Sequence, residues 1–230
     1  MQTKKKVWIF HHYATPPSMG GLTRPFDFAK NFDSEKFTFT IFSSSHLHYS
    51  GINIIKEGNT YYKEVLESEI PFIFVKTTNY NKSKVLRLKN MIDFYKNLFK
   101  VTSYYAKEKG EPDVIIASSA HPLTVIAGQK IAKKFKVPSI CEVRDLWPES
   151  FVAYDIIDYK NPLLKFLYMG EKWMYKNSDK IIFTMEGGKD YIIDKKWNKE
   201  NNGPIDVDNV YHINNGVDLE FLNTIKKITL

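Results

Sequence analysis

Short apolar runs alternate with longer amphipathic stretches along most of the chain. Val7-Trp8-Ile9-Phe10-His11-His12 reads as a first strand, and Phe37 to Phe42 alternates Phe, Thr and Ile as a second. Ile70–Val75, Asp113–Ala117, Ser139–Val143, Lys180–Thr184 and Val210–Ile213 have the same short apolar character. Between these runs the period lengthens. In Val85–Lys107 the residues Leu88, Met91, Ile92, Tyr95, Leu98, Phe99 and Thr102 fall on one helical face. Further helices are expected over Leu22–Asn31, Pro122–Lys134, Leu163–Tyr175 and Gly187–Lys195. Residues 43–69 are harder to read, with only a short strand expected at Ile52-Asn53-Ile54-Ile55. Repeated β–α alternation predicts an α/β protein with a doubly wound parallel sheet of the Rossmann-like kind, its crossovers right-handed.

In such a sheet, ligands bind at the carboxyl ends of the strands. Three junctions at that edge carry chemistry. After the first strand comes His11-His12-Tyr13-Ala14-Thr15-Pro16-Pro17-Ser18-Met19-Gly20-Gly21-Leu22. Gly20 and Gly21 let backbone N–H groups approach an anion at a helix start, or simply shape a loop. The dinucleotide fingerprint G-x-G-x-x-G is absent, which argues against NAD. After Asp113–Ala117, Ser118-Ser119-Ala120 leads to His121. After Ser139–Val143 the chain runs through Arg144 and Asp145 into Trp147-Pro148, which cannot continue a strand. Glu142, Arg144, Asp145 and Glu149 fall within eight residues. Burying such charges unpaired costs several kcal/mol, so they form either a local salt-bridge cluster or a ligand site. Glu171 lies near the buried face of its helix, either as a boundary carboxylate paired with a lysine, the reading expected, or as a functional group; Asp179 is either a turn residue or the end of that helix before the strand at Lys180. His11 and His12 lack a matching Cys, His or carboxylate set at ligand spacing, so no metal is expected.

Composition narrows the choice further. With 230 residues and 43% hydrophobic content the chain can bury a full core. Its 33 basic and 26 acidic residues give a net charge of +7, yet only Arg24, Arg87 and Arg144 are arginines and no reader motif is present. Nucleic acid is therefore not the expected partner. Cys141 is the single cysteine, so no disulfide forms within the chain and a reducing, cytoplasmic setting is expected. No apolar stretch is long enough to span a bilayer. Between Lys76 and Lys109, basic residues face only Asp93 and Glu108, with Tyr80, Phe94, Tyr104 and Tyr105 interleaved. That segment is either a solvated face or a peripheral contact with an anionic membrane.

Several of these pieces together resemble the amino-terminal domain of the family-4 glycosyltransferases of the GT-B class. They are Pro17-Ser18-Met19-Gly20-Gly21, Ser118-Ser119-Ala120-His121-Pro122, the Glu142–Ser150 stretch, Glu171 with Asp179, and Ile213-Asn214-Asn215-Gly216-Val217-Asp218. The chain most resembles the bacterial WbuB-type amino-sugar transferases of lipopolysaccharide and capsule synthesis. The resemblance implies a retaining, metal-independent transfer from a nucleoside-diphosphate sugar to a lipid- or glycan-linked acceptor, with no cofactor. It implies that Gly20 and Gly21 approach the donor diphosphate, that His121 and Asp145 are catalytic, and that Glu142, Arg144 and Glu149 line the acceptor side. Residues 1–213 would be the acceptor-side domain and 214–230 the start of a linker to a donor-binding domain that the chain lacks, leaving it inactive alone. A GT-B sugar-nucleotide epimerase and a non-catalytic binding module are the alternatives.

Overall fold

The computed structural model describes residues 3–56, 58, 60–81 and 83–216. Val217 and Asp218, most of the expected linker and Lys82 lie outside them. Eight strands form one sheet: β1 (Lys5–Phe10), β2 (Phe37–Ser44), β3 (Tyr62–Glu67), β4 (Ile70–Val75), β5 (Val114–Ser118), β6 (Ser139–Val143), β7 (Lys180–Phe183) and β8 (Val210–His212). Their order is β3-β4-β2-β1-β5-β6-β7-β8, parallel throughout except for β3, which pairs antiparallel with β4. Six helices connect them: α1 (Arg24–Asn31), α2 (Lys84–Lys109), α3 (Pro122–Phe135), α4 (Trp147–Ala153), α5 (Pro162–Lys176) and α6 (Gly188–Asp194). α2, α3, α5 and α6 lie on one face of the sheet and α1 on the other.

The apolar runs become strands because both of their faces are covered, the condition under which a parallel sheet tolerates unbroken hydrophobic sequence. Trp8 and Phe10 of β1 meet Phe42 of β2 at 5.1 and 5.2 Å between ring centroids, under Phe94, Leu98 and Tyr105 of α2. On the opposite face Val7, Ile9, Phe39 and Ile41 pack against Phe26 and Ala29 of α1. Each such side chain contributes about 1.5–3 kcal/mol by leaving water. α3 sits so close to β5 that a Cβ on Gly128 would lie 2.5 Å from the Ala117 Cβ. The helices start on recognisable signals. Ser83 accepts the Leu86 N–H and Asn161 the Leu163 N–H, while Pro122, Pro148 and Pro162 occupy first turns, where a missing N–H costs nothing.

Three local expectations change. Residues 52–55 contribute only a single bridge, Asn53 to His46, and not a strand. β3, which the period did not reveal, is an edge strand with mostly exposed or half-buried residues, so it has no apolar face to betray it. Trp147-Pro148 ends the strand as expected but also opens α4, with Pro148 in its first turn.

Candidate functional site

β1, β5 and β6 are parallel neighbours, so the loops leaving their carboxyl ends share one edge of the sheet. The loop after β1 carries Gly20 and Gly21, the loop after β5 carries His121, and the loop after β6 carries Arg144 and Asp145.

The glycine pair lies just ahead of α1, after a helical turn at Pro17–Met19. Gly20 spends its own N–H on the Pro17 carbonyl and its carbonyl on the Thr15 hydroxyl. Gly21 has φ +101°, and a Cβ there would stand 2.7 Å from Thr15 Oγ1 and 3.0 Å from the Tyr49 ring. Only glycine fits that backbone and that space.

His121 is the residue immediately before α3 and is 2% exposed. Its ring meets His12 at 4.5 Å and Tyr13 at 6.3 Å, and its Nε2 lies 3.3 Å from Thr124 Oγ1. Burial, reinforced by His11 and Arg87, holds its pKa down at about 3, so the ring is neutral. His12 is fixed by Asn90: the amide nitrogen of Asn90 donates to the Thr78 carbonyl, so its oxygen accepts from His12 Nε2 at 2.7 Å. Burial lowers His11 to about 4 and His12 well below 6.5.

Ser119 organises the β5–β6 junction. Its N–H donates to the Glu142 carbonyl, its hydroxyl accepts the Arg144 N–H at 3.0 Å, and its carbonyl accepts Trp147 Nε1 at 2.9 Å. Asp145 is exposed, and no described residue hydrogen-bonds or pairs with its carboxylate. The other two carboxylates of this stretch are occupied inside the protein. Glu142 is buried against Arg24 at 3.0 Å. Arg24 also donates to the Ile213 and Asn214 carbonyls and to Asn215 Oδ1, and its guanidinium lies 4.3 Å from the Phe28 ring centroid. Glu149 accepts the Tyr168 hydroxyl at 2.6 Å and pairs with Lys195 at 2.9 Å, among α4, α5 and α6. Burial raises its pKa, but these two donors outweigh that and lower it. Glu171 is paired with no lysine. It accepts hydroxyls from Tyr175 and Tyr191, both at 2.7 Å, and burial raises its pKa. Asp179 receives the Ser139 N–H at 2.7 Å and so ties β6 to the start of β7.

The sequence reading missed how far the histidines gather. His46 and His48 follow β2 and join the same edge: the His46 ring meets the Tyr80 ring at 4.3 Å, inclined by 57°, and His48 Nδ1 lies 2.6 Å from the Tyr80 hydroxyl. Arg87 of α2 donates to the Tyr13 hydroxyl above them. Nothing in the local sequence around His46 signals this, because its partners lie more than thirty residues away. Among the described residues, seven buried side-chain atoms lack a hydrogen-bond partner. Six of them, on His11, His12, His46, Ser118, His121 and Arg144, lie along the carboxyl edge. Buried polar atoms are normally satisfied, so this concentration sets the carboxyl edge apart from the rest of the described fold. No described group of three or more His, Cys, Asp or Glu residues is arranged to hold a metal ion.

Solved structures share this fold. A UDP-glucosyltransferase from Polygonum tinctorium aligns at TM-score 0.53 and 14% identity, over 99% of this chain and 57% of its own. Phytolacca americana UGT2, complexed with UDP-2-fluoro-glucose and pterostilbene, aligns at 0.52 and 10% identity, over 94% of this chain and 54% of its own. Sucrose-phosphate synthase from Thermosynechococcus elongatus aligns at 0.50 and 12% identity, over 98% of this chain and 100% of that one. The chain thus spans somewhat more than half the length of the two plant proteins. No curated protein sequence matches it. The fold is that of a domain of the GT-B glycosyltransferases. The family model for Glycosyltransferase Family 4 matches residues 60–221, and the chain belongs to that family.

Proposed function

We propose that the chain is the acceptor-side domain of a retaining glycosyltransferase. It would move a sugar from a nucleoside-diphosphate donor to a lipid- or glycan-linked acceptor in surface polysaccharide synthesis, in the manner of the WbuB-type amino-sugar transferases. The observation that carries this reading is the concentration of unpartnered buried polar atoms along the carboxyl edge, in a chain of this family.

Neutral His121 would meet the transferred sugar through Nδ1, the ring nitrogen left without a partner. Exposed Asp145 and the free Nη1 of Arg144 would meet the acceptor side. Gly21, bare of side chain, would let the loop after β1 approach the donor diphosphate. The leaving diphosphate gathers charge in the transition state, and prepositioned donors there lower the barrier more than a protein nucleophile would. Glu142 and Glu149 act on this reading as supports, since Arg24 and Lys195 already hold them. A donor-binding domain beyond this chain would supply most of the diphosphate contacts, so the 230 residues alone are expected to transfer no sugar.

The test is turnover in the complete enzyme with nucleotide-sugar donor and a lipid-linked acceptor. His121→Ala and Asp145→Ala should each retain the fold and lose activity, and near-normal turnover in either would remove that residue's role. Product analysis with donor alone separates transfer from the epimerase alternative, which would convert the donor sugar without an acceptor.

A further inference from the structure

His12 is tied at both its backbone and its side chain. Its carbonyl accepts the Ser44 N–H at 3.1 Å, and its Nε2 lies 2.7 Å from Asn90 Oδ1. Asn90 is fully buried in α2, and an amide oxygen can only accept. Its amide nitrogen is committed to the Thr78 carbonyl at 2.6 Å, so Nε2 of His12 must carry the hydrogen. A neutral imidazole has one N–H, which leaves Nδ1 of His12 bare, and that atom is buried without a partner. Burial, the His121 and His11 rings and the Arg87 guanidinium all oppose a charge on His12; only the Asn90 bond favours one. Tyr13, packed on the ring at 4.5 Å, stays a neutral phenol because burial raises it. Asp93 lies one turn along α2 from Asn90, but its carboxylate is spent on Thr78 and Lys89.

His121 has no such tether. Among the described residues its ring makes one hydrogen bond, to Thr124 Oγ1 three residues along, and at 3.3 Å that bond is long. Packing therefore sets the attitude of the ring. His12 meets it edge to face at 4.5 Å and 72°, whereas Tyr13 stands off at 6.3 Å. An imidazole without a fixed partner can invert about its Cβ–Cγ bond and exchange tautomers, placing a nitrogen where a carbon stood. His12 cannot do so without breaking its bond to Asn90 in a buried site, where the loss is not made up by water.

We propose that Asn90 is a positioning residue of the candidate site: it fixes His12 as the Nε2–H tautomer in one ring orientation, and the His12 ring in turn fixes that of His121. The proposal rests on the reading of His121 as the residue that meets the transferred sugar. Asn90 spends its amide on His12 and Thr78, so it acts through His12 and not on the substrate.

Ring-nitrogen NMR of the isotope-labelled 230-residue chain reads the tautomer without any need for turnover. His12, assigned by its absence from His12→Gln, should show a single Nε2–H signature, and Asn90→Leu should replace it with a mixture of tautomers. A hydrogen on Nδ1 in the wild type, or an unchanged signature in Asn90→Leu, would overturn the proposal. In the complete enzyme, His12→Gln keeps an amide N–H for Asn90 to accept, whereas His12→Leu keeps bulk alone. Turnover should fall on the order of tenfold or more in Asn90→Leu and in His12→Leu, with donor and acceptor KM little changed. His12→Gln should recover most of that loss. A merely structural role would lower the urea midpoints without separating the Gln and Leu variants in kcat, and that result also overturns the proposal. The His12 pair tests the same bond should Asn90→Leu not fold. Wild-type turnover in Asn90→Leu beside a crippled His121→Ala would overturn this proposal alone. Normal turnover in His121→Ala would remove the catalytic reading and this proposal with it.

Discussion

The two edges of the sheet are built by opposite rules. At the amino edge, polar groups close on one another. Asp113 accepts the Lys6 N–H at 2.8 Å and Lys5 Nζ at 3.0 Å, Lys6 Nζ donates to the Lys109 carbonyl at 2.7 Å, and Asp179 accepts both the N–H and hydroxyl of Ser139. At the carboxyl edge, rings and hydroxyls are buried and left with atoms to spare. The amino edge is thus closed by its own hydrogen bonds, whereas the carboxyl edge keeps buried polar atoms that the described residues do not meet.

Four experiments probe that division. The largest effect is expected from Arg24, whose pair with Glu142 is, among the described residues, the buried ion pair of the carboxyl edge. Arg24→Met leaves a buried carboxylate without its partner and should cost about 3–5 kcal/mol in urea denaturation. Adding Glu142→Gln should recover much of the loss, and failure to recover would mean that the bonds to Ile213, Asn214 and Asn215 carry the stability. Next comes His121→Ala in the complete enzyme, expected to reduce turnover tens- to thousands-fold with a nearly unchanged denaturation midpoint. A stability loss as large as the activity loss would erase the contrast between the edges.

The third test uses pH. Free imidazoles titrate near 6.5, whereas His11 is held at about 4 and His121 at about 3. These rings impose no proton-linked penalty above pH 6.5; below it the unfolded chain takes up protons that the fold refuses, so stability falls as the pH drops toward 4 and then 3. Each ring should add at most about 1.4 kcal/mol per pH unit to the slope over that interval. His11→Asn should flatten the fall in midpoint between these pH values, and an unchanged slope would show the ring already charged in the fold. The smallest effect is expected at the amino edge. Asp179→Ala should cost about 1–2 kcal/mol, through the orphaned Ser139 N–H, and leave turnover untouched. A drop in turnover would tie the two edges together.

The sequence made most of this fold legible, and the exceptions share a cause. β1, β4 and β5 announce themselves as unbroken apolar runs covered on both faces, and β2 as a short alternation of Phe, Thr and Ile. β3 is half solvated, and its Tyr-Lys-Glu-Val-Leu-Glu mixes charges with apolar residues on no consistent face. In the site, Gly21, His121 and Asp145 could be assigned to one edge because a strand's end is visible in sequence. What each carboxylate touches was not visible. Glu142 meets Arg24 across 118 residues, and Glu171 meets tyrosines where a lysine was expected. Those partners are chosen by tertiary packing, which local spacing does not encode.

Arg24 has a mechanical meaning as well. Its planar fork grips Ile213, Asn214 and Asn215, where the backbone leaves the sheet, while its own residue starts α1 three positions after Gly21. A tug on the chain at Gly216 is thus delivered to the root of α1 and to the glycine loop beside it. The guanidinium acts as a pivot pin, coupling any swing of the exit to the attitude of the glycine loop.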